Sequence, residues 1–323
     1  MVYRLKSCFK EELENFRDLK LSSGVKDVSI QRYLNYFDDF ICEQGVNQIE
    51  FTKELKDQWI KYRPDEGDIT RYTRVNYSIE FLTFLEAKGY NVIIPRRLQY
   101  VGSKIQHYIY TEAERDKYFE YIDSVDYIKD PMAALYMPVI FRILYGCGTR
   151  VGETLSIRVK DVDLTEGIIL LRETKGDRNR LVPVSPGMHE ILNKYASKCL
   201  YLKTDEDYFF SHIDRRRVSE QSIYNLHRKA LDYAGIPYVG GGKGPRVHDW
   251  RHTMAVTSLE SFMNNGTDLY NVLPILKTYL GHSNVFSTER YLHLVSQNYD
   301  SILSKTASTD SYIAGDNDTH ETQ

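Results

Sequence analysis

The chain has 323 residues, 42% hydrophobic and 27% charged, with 42 basic against 45 acidic side chains and a formal net charge of -3. At about 150 residues per domain this is material for roughly two globular domains, each large enough for its own core. The proportions exclude a disordered or collagen-like chain, and no apolar stretch approaches the roughly 20 residues that span a bilayer. Cys8, Cys42, Cys147 and Cys199 are widely separated, with no CxxC pair, so neither a disulfide framework nor a structural zinc site is indicated. The N-terminus lacks the apolar core of a signal peptide, which makes a reducing cytoplasm the expected location. Tyrosine is abundant, 26 against 13 Phe, as suits half-wet aromatic positions.

The first 90 residues read as a small helical bundle. Ser29 is placed to cap a segment in which Ile30, Tyr33, Leu34, Phe37, Phe40 and Ile41 recur at helical spacing, and Gly45 ends it. A second amphipathic run follows Asp68, with Tyr72, Val75, Ile79, Leu82 and Leu85 on one face and Gly89 as its stop. Shorter helices are expected near residues 9 to 20 and 52 to 62. Arg71 and Arg74, with Lys53, Lys56, Lys61 and Arg63, offer a basic side to the bundle, although a solvated helix face is the ordinary explanation of any one of them.

Residues 87 to 111 hold Lys88, Arg96, Arg97 and Lys104 and no carboxylate, and Pro95 and Gly102 punctuate them, as expected of a basic linker. Thr111 and Glu114 then form a capping box for a new helix. A long apolar helix, Ala133 to Tyr145, leads into GCGTRVGETLSI. The one β-rich region follows, Ile168 to Leu171 and Leu181 to Val184, a hairpin with Lys175 and Gly176 near its tip. From Met188 onward the pattern is again mostly helical. The last 23 residues carry one Lys against Asp310, Asp316, Asp318 and Glu321, so the whole net charge belongs to this tail, which reads as disordered beyond about Thr306. The expected organisation is a helical domain at 1–92, a linker at 93–109, a mostly helical domain with a small antiparallel sheet at 110–305, and a tail at 306–323.

Four segments carry chemistry: Gly148-Thr149-Arg150-Val151-Gly152-Glu153, the hairpin Lys175, His248-Asp249-Trp250-Arg251-His252, and Leu280-Gly281-His282 with Tyr291 nine residues beyond the His. Breaking a DNA phosphodiester needs a nucleophile, neutralisation of the non-bridging oxygens and a proton for the departing 5′ oxygen. Arg150 and Arg251 suit the second task, because a guanidinium fork donates two hydrogen bonds to phosphate and keeps its charge. Lys175 suits the third as a general acid. A free Tyr ionises near pH 10, so Tyr291 needs those cations and a hydrogen-bonding His, with His248 and His282 as the available partners.

On these residues the sequence resembles the tyrosine recombinase (phage integrase) family. The family pattern is G-x-R-x-x-E-x-L, a hairpin Lys, H-x-x-R-H, then L-G-H and T-x-x-Y. It is matched by Gly148, Arg150, Glu153 and Leu155, by Lys175, by His248, Arg251 and His252, and by Leu280, Gly281, His282, Thr288 and Tyr291. The resemblance covers about residues 110 to 300, and the front bundle looks like the family's core-binding domain. It implies that Arg150, Lys175, His248, Arg251 and His282 assist the nucleophile Tyr291, with Glu153 and His252 in support. It further implies double-stranded DNA recombination sites as partners, four protomers on two sites, no metal or other cofactor, and a nucleoid-associated protein in the cytoplasm. Arg96, Arg97, Lys104, Arg71 and Arg74 are the candidate DNA contacts, and the segment Leu294 to Lys305 is a candidate for docking on a neighbour. Trp250, Thr149 and Gly152 depart from the common residues at their positions. The LYNVLPILKTYLGHS run looks closer to integrases of mobile elements than to the Xer type, which points to integration or excision of such an element.

Three alternatives use the same residues. A type IB topoisomerase shares the constellation but relaxes supercoils without pairing two sites. A non-catalytic relative would bind DNA only. His248 and His252, at i and i+4, also have the spacing of two zinc ligands in a metallohydrolase, although an adjoining Arg opposes a dication.

Overall fold

A computed structural model describes residues 5–24, 27–100, 107–124, 130–174, 178–237, 244–281, 288 and 291–292. The chain divides into two compact units, Met1–Ile105 and Gln106–Gln323. That break lies inside the segment expected as a linker.

The first unit is helical, with α1 (Lys10–Ser22), α2 (Asp27–Glu43), α3 (Lys53–Trp59) and α4 (Asp68–Ala87). Its core is aromatic: Phe37 meets Phe9, Phe51, Trp59 and Phe81 with ring centroids 5.3 to 5.7 Å apart, mostly edge to face, the arrangement ring quadrupoles favour. The expected stripe of α4 is the buried one, for Val75, Ile79, Leu82 and Leu85 all face the core, and the chain turns at Gly89 with φ +89°. One expected boundary is wrong: Ser29 does not cap α2, which begins two residues earlier at Asp27.

Arg74 corrects a second expectation. It is 1% exposed, and its Nε and Nη2 meet both carboxylate oxygens of Glu66 at 2.7 Å. Nη1 donates to the Trp59 carbonyl and Nη2 to that of Lys61, while the guanidinium lies 4.5 Å over the Trp59 ring. With all three nitrogens committed inside this unit, Arg74 is not a DNA contact; it ties α4 to the 59–66 segment. Arg71 is half-buried and also engaged, donating to the Ile60 carbonyl at 2.7 Å and stacking on Tyr62. Arg96 and Arg97 are exposed. Lys104 lies outside the described residues. Arg74→Met should lower the stability of the first unit by about 3 to 5 kcal/mol, because Glu66, its side chain 5% exposed, loses its ion-pair partner and keeps the Arg63 N–H, and adding Glu66→Leu should recover much of the loss. Urea denaturation of the full chain followed by Trp fluorescence checks this; an R74M midpoint equal to wild type would contradict it.

The second unit holds α5 (Glu112–Ser124), α6 (Ala133–Gly146), α7 (Val151–Leu155), β1 (Val162–Asp163), β2 (Ile168–Thr174), β3 (Arg178–Pro183), α8 (Pro186–Cys199), α9 (Glu220–Tyr233), α10 (Asp249–Asn264) and α11 (Leu269–Leu280). The architecture is mainly α, with one three-stranded antiparallel sheet in the order β1-β2-β3. The capping box forms as expected: Thr111 N–H donates to Glu114 at 2.8 Å, and Glu114 N–H to the Thr111 hydroxyl at 3.3 Å. The hairpin strands run further toward the tip than the apolar runs suggested, and β1 is an addition. In β2 and β3 alternate residues face inward, so Ile169, Leu171 and Val182 are buried whereas Leu181 is 62% exposed. Trp250 stacks on Tyr110 with centroids 4.0 Å apart and planes within 7°. Its bulk therefore fills the core from the first turn of α10.

Among the described residues no helix is long and apolar enough to cross a membrane. The acidic tail and the segment 294–305 lie outside the described residues.

Candidate active site

Three pieces of chain far apart in sequence meet at α10. Arg150 precedes α7 in extended backbone, φ -83° and ψ 149°, so its N–H is one of the groups a helix start leaves unpaired. Glu153 takes it, accepting the Arg150 N–H at 3.0 Å on Oε2 and the guanidinium at 2.5 Å on Oε1. Two residues earlier Gly148 adopts φ +58°, and a Cβ there would stand 2.9 Å from a Leu280 methyl and 3.1 Å from Met254. Only glycine permits both the left-handed backbone and that approach.

Arg251, on the first turn of α10, is the buried link. It is 1% exposed, and its Nη1 and Nη2 donate to the carbonyls of Gly148 and Leu280, each at 2.6 Å. One guanidinium thus pins the Arg150 loop and the end of α11 to the same helix. Burial, with Arg150 nearby, lowers its pKa to about 10, so it stays cationic at neutral pH.

Tyr291 is 2% exposed and packs among Met254, Ala255, Val256, Leu259, Leu276 and Leu280. Its hydroxyl is hydrogen-bonded to Nδ1 of His252 at 3.1 Å. The expectation named His248 and His282 as partners of the tyrosine; His252 is a partner it did not assign to the hydroxyl. Burial, reinforced by His107 and His248, pushes His252 down to about 2, so its imidazole is neutral. Its Nε2 is buried without a hydrogen-bond partner among the described residues. His248 stands exposed at the start of the same helix, its ring T-shaped to that of His252 at 4.9 Å. His282 and Lys175 lie outside the described residues.

Sequence reasoning missed Arg180. On β3 it shares the inward face of Val182, and its Nη1 and Nη2 meet the two Glu153 oxygens at 3.2 and 2.8 Å. Strand alternation is the signal that would have found it, since a cation two residues from a buried Val must meet an acceptor. Burial opposes ionisation of Glu153, but the Arg180 hydrogen bonds, the Arg150 N–H and both guanidinium charges hold its carboxyl down at about 2. Arg150 and Arg180 pair with this one carboxylate and Arg251 lies within electrostatic reach of it, so the four groups together carry +2. Such a site favours an anion, and more so one whose charge rises from -1 to -2 as it reacts.

The zinc-pair alternative involves His252 in a further group. Among the described residues a group of three with ligand-like spacing is His107, Asp249 and His252, which includes one member of the His248 and His252 pair. Arg246 already supplies its cation, 3.1 Å from Asp249 and 3.3 Å from Nδ1 of His107. A dication there would stand against a guanidinium.

Arg150, Arg180 and Arg251 thus lie with the buried Tyr291 on a helical domain that carries a small sheet. Residues 116–298 match the phage integrase family, more than half of the chain, and the chain belongs to that family. A Sinorhizobium fredii protein named as an integrase/recombinase is 33% identical over 164 residues, 50% of this chain and 52% of that protein. That match spans about half of the relative's length. A tyrosine recombinase of Pseudothermotoga lettingae is 24% identical over 299 residues, 88% of this chain and 94% of the relative. Among solved structures, XerH site-specific recombinase bound to difH substrate in a pre-cleavage complex is similar with a TM-score of 0.64 at 17% identity, covering 91% of this chain and 84% of that one. At that identity the likeness is one of fold.

Proposed function

We propose that this chain is a site-specific DNA recombinase that cuts and rejoins strands through a 3′-phosphotyrosine, and that it integrates or excises a mobile element. The observation that carries the reading is the convergence of Arg150, Arg251, His248 and His252 with the hydroxyl of Tyr291. The Tyr291 oxygen attacks the phosphorus as its proton passes to the His252 imidazole to which it is hydrogen-bonded, the bond to the 5′ oxygen breaks, and the 5′ hydroxyl leaves with a proton from Lys175. Arg150 and Arg251 receive the charge that builds on the non-bridging oxygens. The neutral imidazole of His252 holds the hydroxyl, while His248 and His282 complete the donors around the phosphate. A 5′ hydroxyl from a partner strand then attacks the phosphotyrosine and releases Tyr291. Each step exchanges one phosphodiester for another, so neither metal nor ATP enters. Four protomers on two DNA sites supply the partner strands, and the exposed Arg96 and Arg97, with Lys104, track the backbone of double-stranded DNA in the nucleoid.

A nicked substrate taken from the DNA ends flanking the native gene tests this, because its short 5′ fragment diffuses away and traps the intermediate. The expected result is a covalent protein–DNA adduct that accumulates equally with EDTA present and ATP absent. No adduct on any flanking end would remove the recombinase reading, and loss in EDTA would favour metal-dependent chemistry.

A further inference from the structure

Arg180 has no part in the proposed chemistry, yet all three of its side-chain nitrogens are committed to elements that carry that chemistry. Besides the two bonds to Glu153, its Nε donates to the Tyr279 carbonyl at 3.2 Å, in the last turn of α11. Its Cδ and Nη1 lie 3.0 Å from the point where a Cβ on Gly281 would stand, and Gly281 has φ +67°. The side chain is 9% exposed, whereas that of Arg150 is 28% exposed. Glu153 is therefore held from its buried side by Arg180, and Arg150 is aimed from the other side of the same carboxylate.

We propose that Arg180 is a positioning residue for the phosphate clamp. Through Glu153 it fixes the direction of the Arg150 guanidinium. Through Tyr279 and Gly281 it fixes the distance between that guanidinium and the turn that leads to Tyr291. The inference rests on the recombinase reading. A planar fork with a third N–H at its root is what these acceptors require; a lysine ammonium lacks that geometry and cannot bridge the carboxylate while reaching a carbonyl on another helix. Arg180 also keeps the site cationic, because without it Glu153 neutralises Arg150 alone and the net charge falls from +2 to +1.

The proposal has a signature in pH. Removing Arg180 takes away the strongest hydrogen bonds to the Glu153 carboxylate and leaves its burial in place, so its pKa rises. A carboxylate with a raised pKa is lost to protonation earlier as pH falls, and Arg150 loses its anchor with it. The experiment measures single-turnover adduct formation on the nicked substrate, and DNA affinity, for wild type, R180K, R180M, E153Q and R180M/E153Q between pH 5 and 8. R180M should react about 100-fold more slowly than wild type with DNA affinity within about twofold, and should fall further as pH drops while wild type does not. R180K should recover less than about tenfold of the loss. In the E153Q background R180M should add little and the acid limb should vanish, since both act through one carboxylate. If R180K and R180M both react at the wild-type rate, or their losses multiply with that of E153Q, the proposal is overturned while the recombinase reading stands. If wild type itself forms no adduct, the reading fails and the inference goes with it.

Discussion

Tyr291→Phe is expected to form no detectable adduct, a loss of at least about a thousandfold, while binding the same DNA within about twofold of wild type. The substitution removes one oxygen and keeps the ring, and the ring is what packs against Met254, Leu276 and Leu280. The hydrogen bond to His252 is lost with the nucleophile, and such a bond is worth about 1 kcal/mol. The fold therefore survives and the chemistry does not. Gel shift and denaturing electrophoresis on one nicked substrate separate the two effects; adduct from the Phe variant at the wild-type rate would mean that another residue attacks.

Arg251→Ala is expected to lose both activity and stability. A clamp donor aimed at a phosphate in its transition state is worth about a hundredfold to a thousandfold in rate. Arg251 also satisfies two carbonyls, of Gly148 and Leu280, and each buried acceptor left unpaired costs about 1 to 3 kcal/mol. Arg251→Lys keeps the charge, but one ammonium does not reproduce the planar fork that serves both carbonyls, so it should regain only part of either loss. Adduct rate and the denaturation midpoint should thus fall together in R251A. Loss of rate at unchanged stability would contradict the linking role assigned to this side chain, and loss of stability at unchanged rate would contradict its place at the phosphate.

What the sequence made legible was whatever short-range chemistry decides. The Thr111 and Glu114 box, the α4 stripe from Val75 to Leu85 and the Gly89 stop depend on residues within a few turns of one another, and the structure keeps all three. The gathering of Arg150, Arg251 and Tyr291 was legible by another route, the order and spacing of a family pattern. Paired cations were not legible. Arg74 looks like a surface residue on a helical wheel until Glu66 and the Trp59 carbonyl are seen around it. Arg180 was hidden because its partner lies 27 residues away, across a hairpin. The bond from His252 to Tyr291 was hidden for a related reason: His248 and His252 lie on the same helix, and the packing of Tyr291 brings its hydroxyl to His252.

The net charge falls into place in the same way. The -3 sits in the tail, and the cations gathered at the site are Arg180 and Arg251, both largely buried, and the half-buried Arg150. Composition is blind to that arrangement.

The central claim is that Tyr291 carries the DNA. The most direct measurement is digestion of the adduct trapped on a nicked substrate, followed by mass spectrometry of the peptide that retains nucleotides. The account predicts a single modified peptide, with a 3′-phosphate ester on the oxygen of Tyr291; an ester on any other residue, or none on wild-type protein, would contradict it.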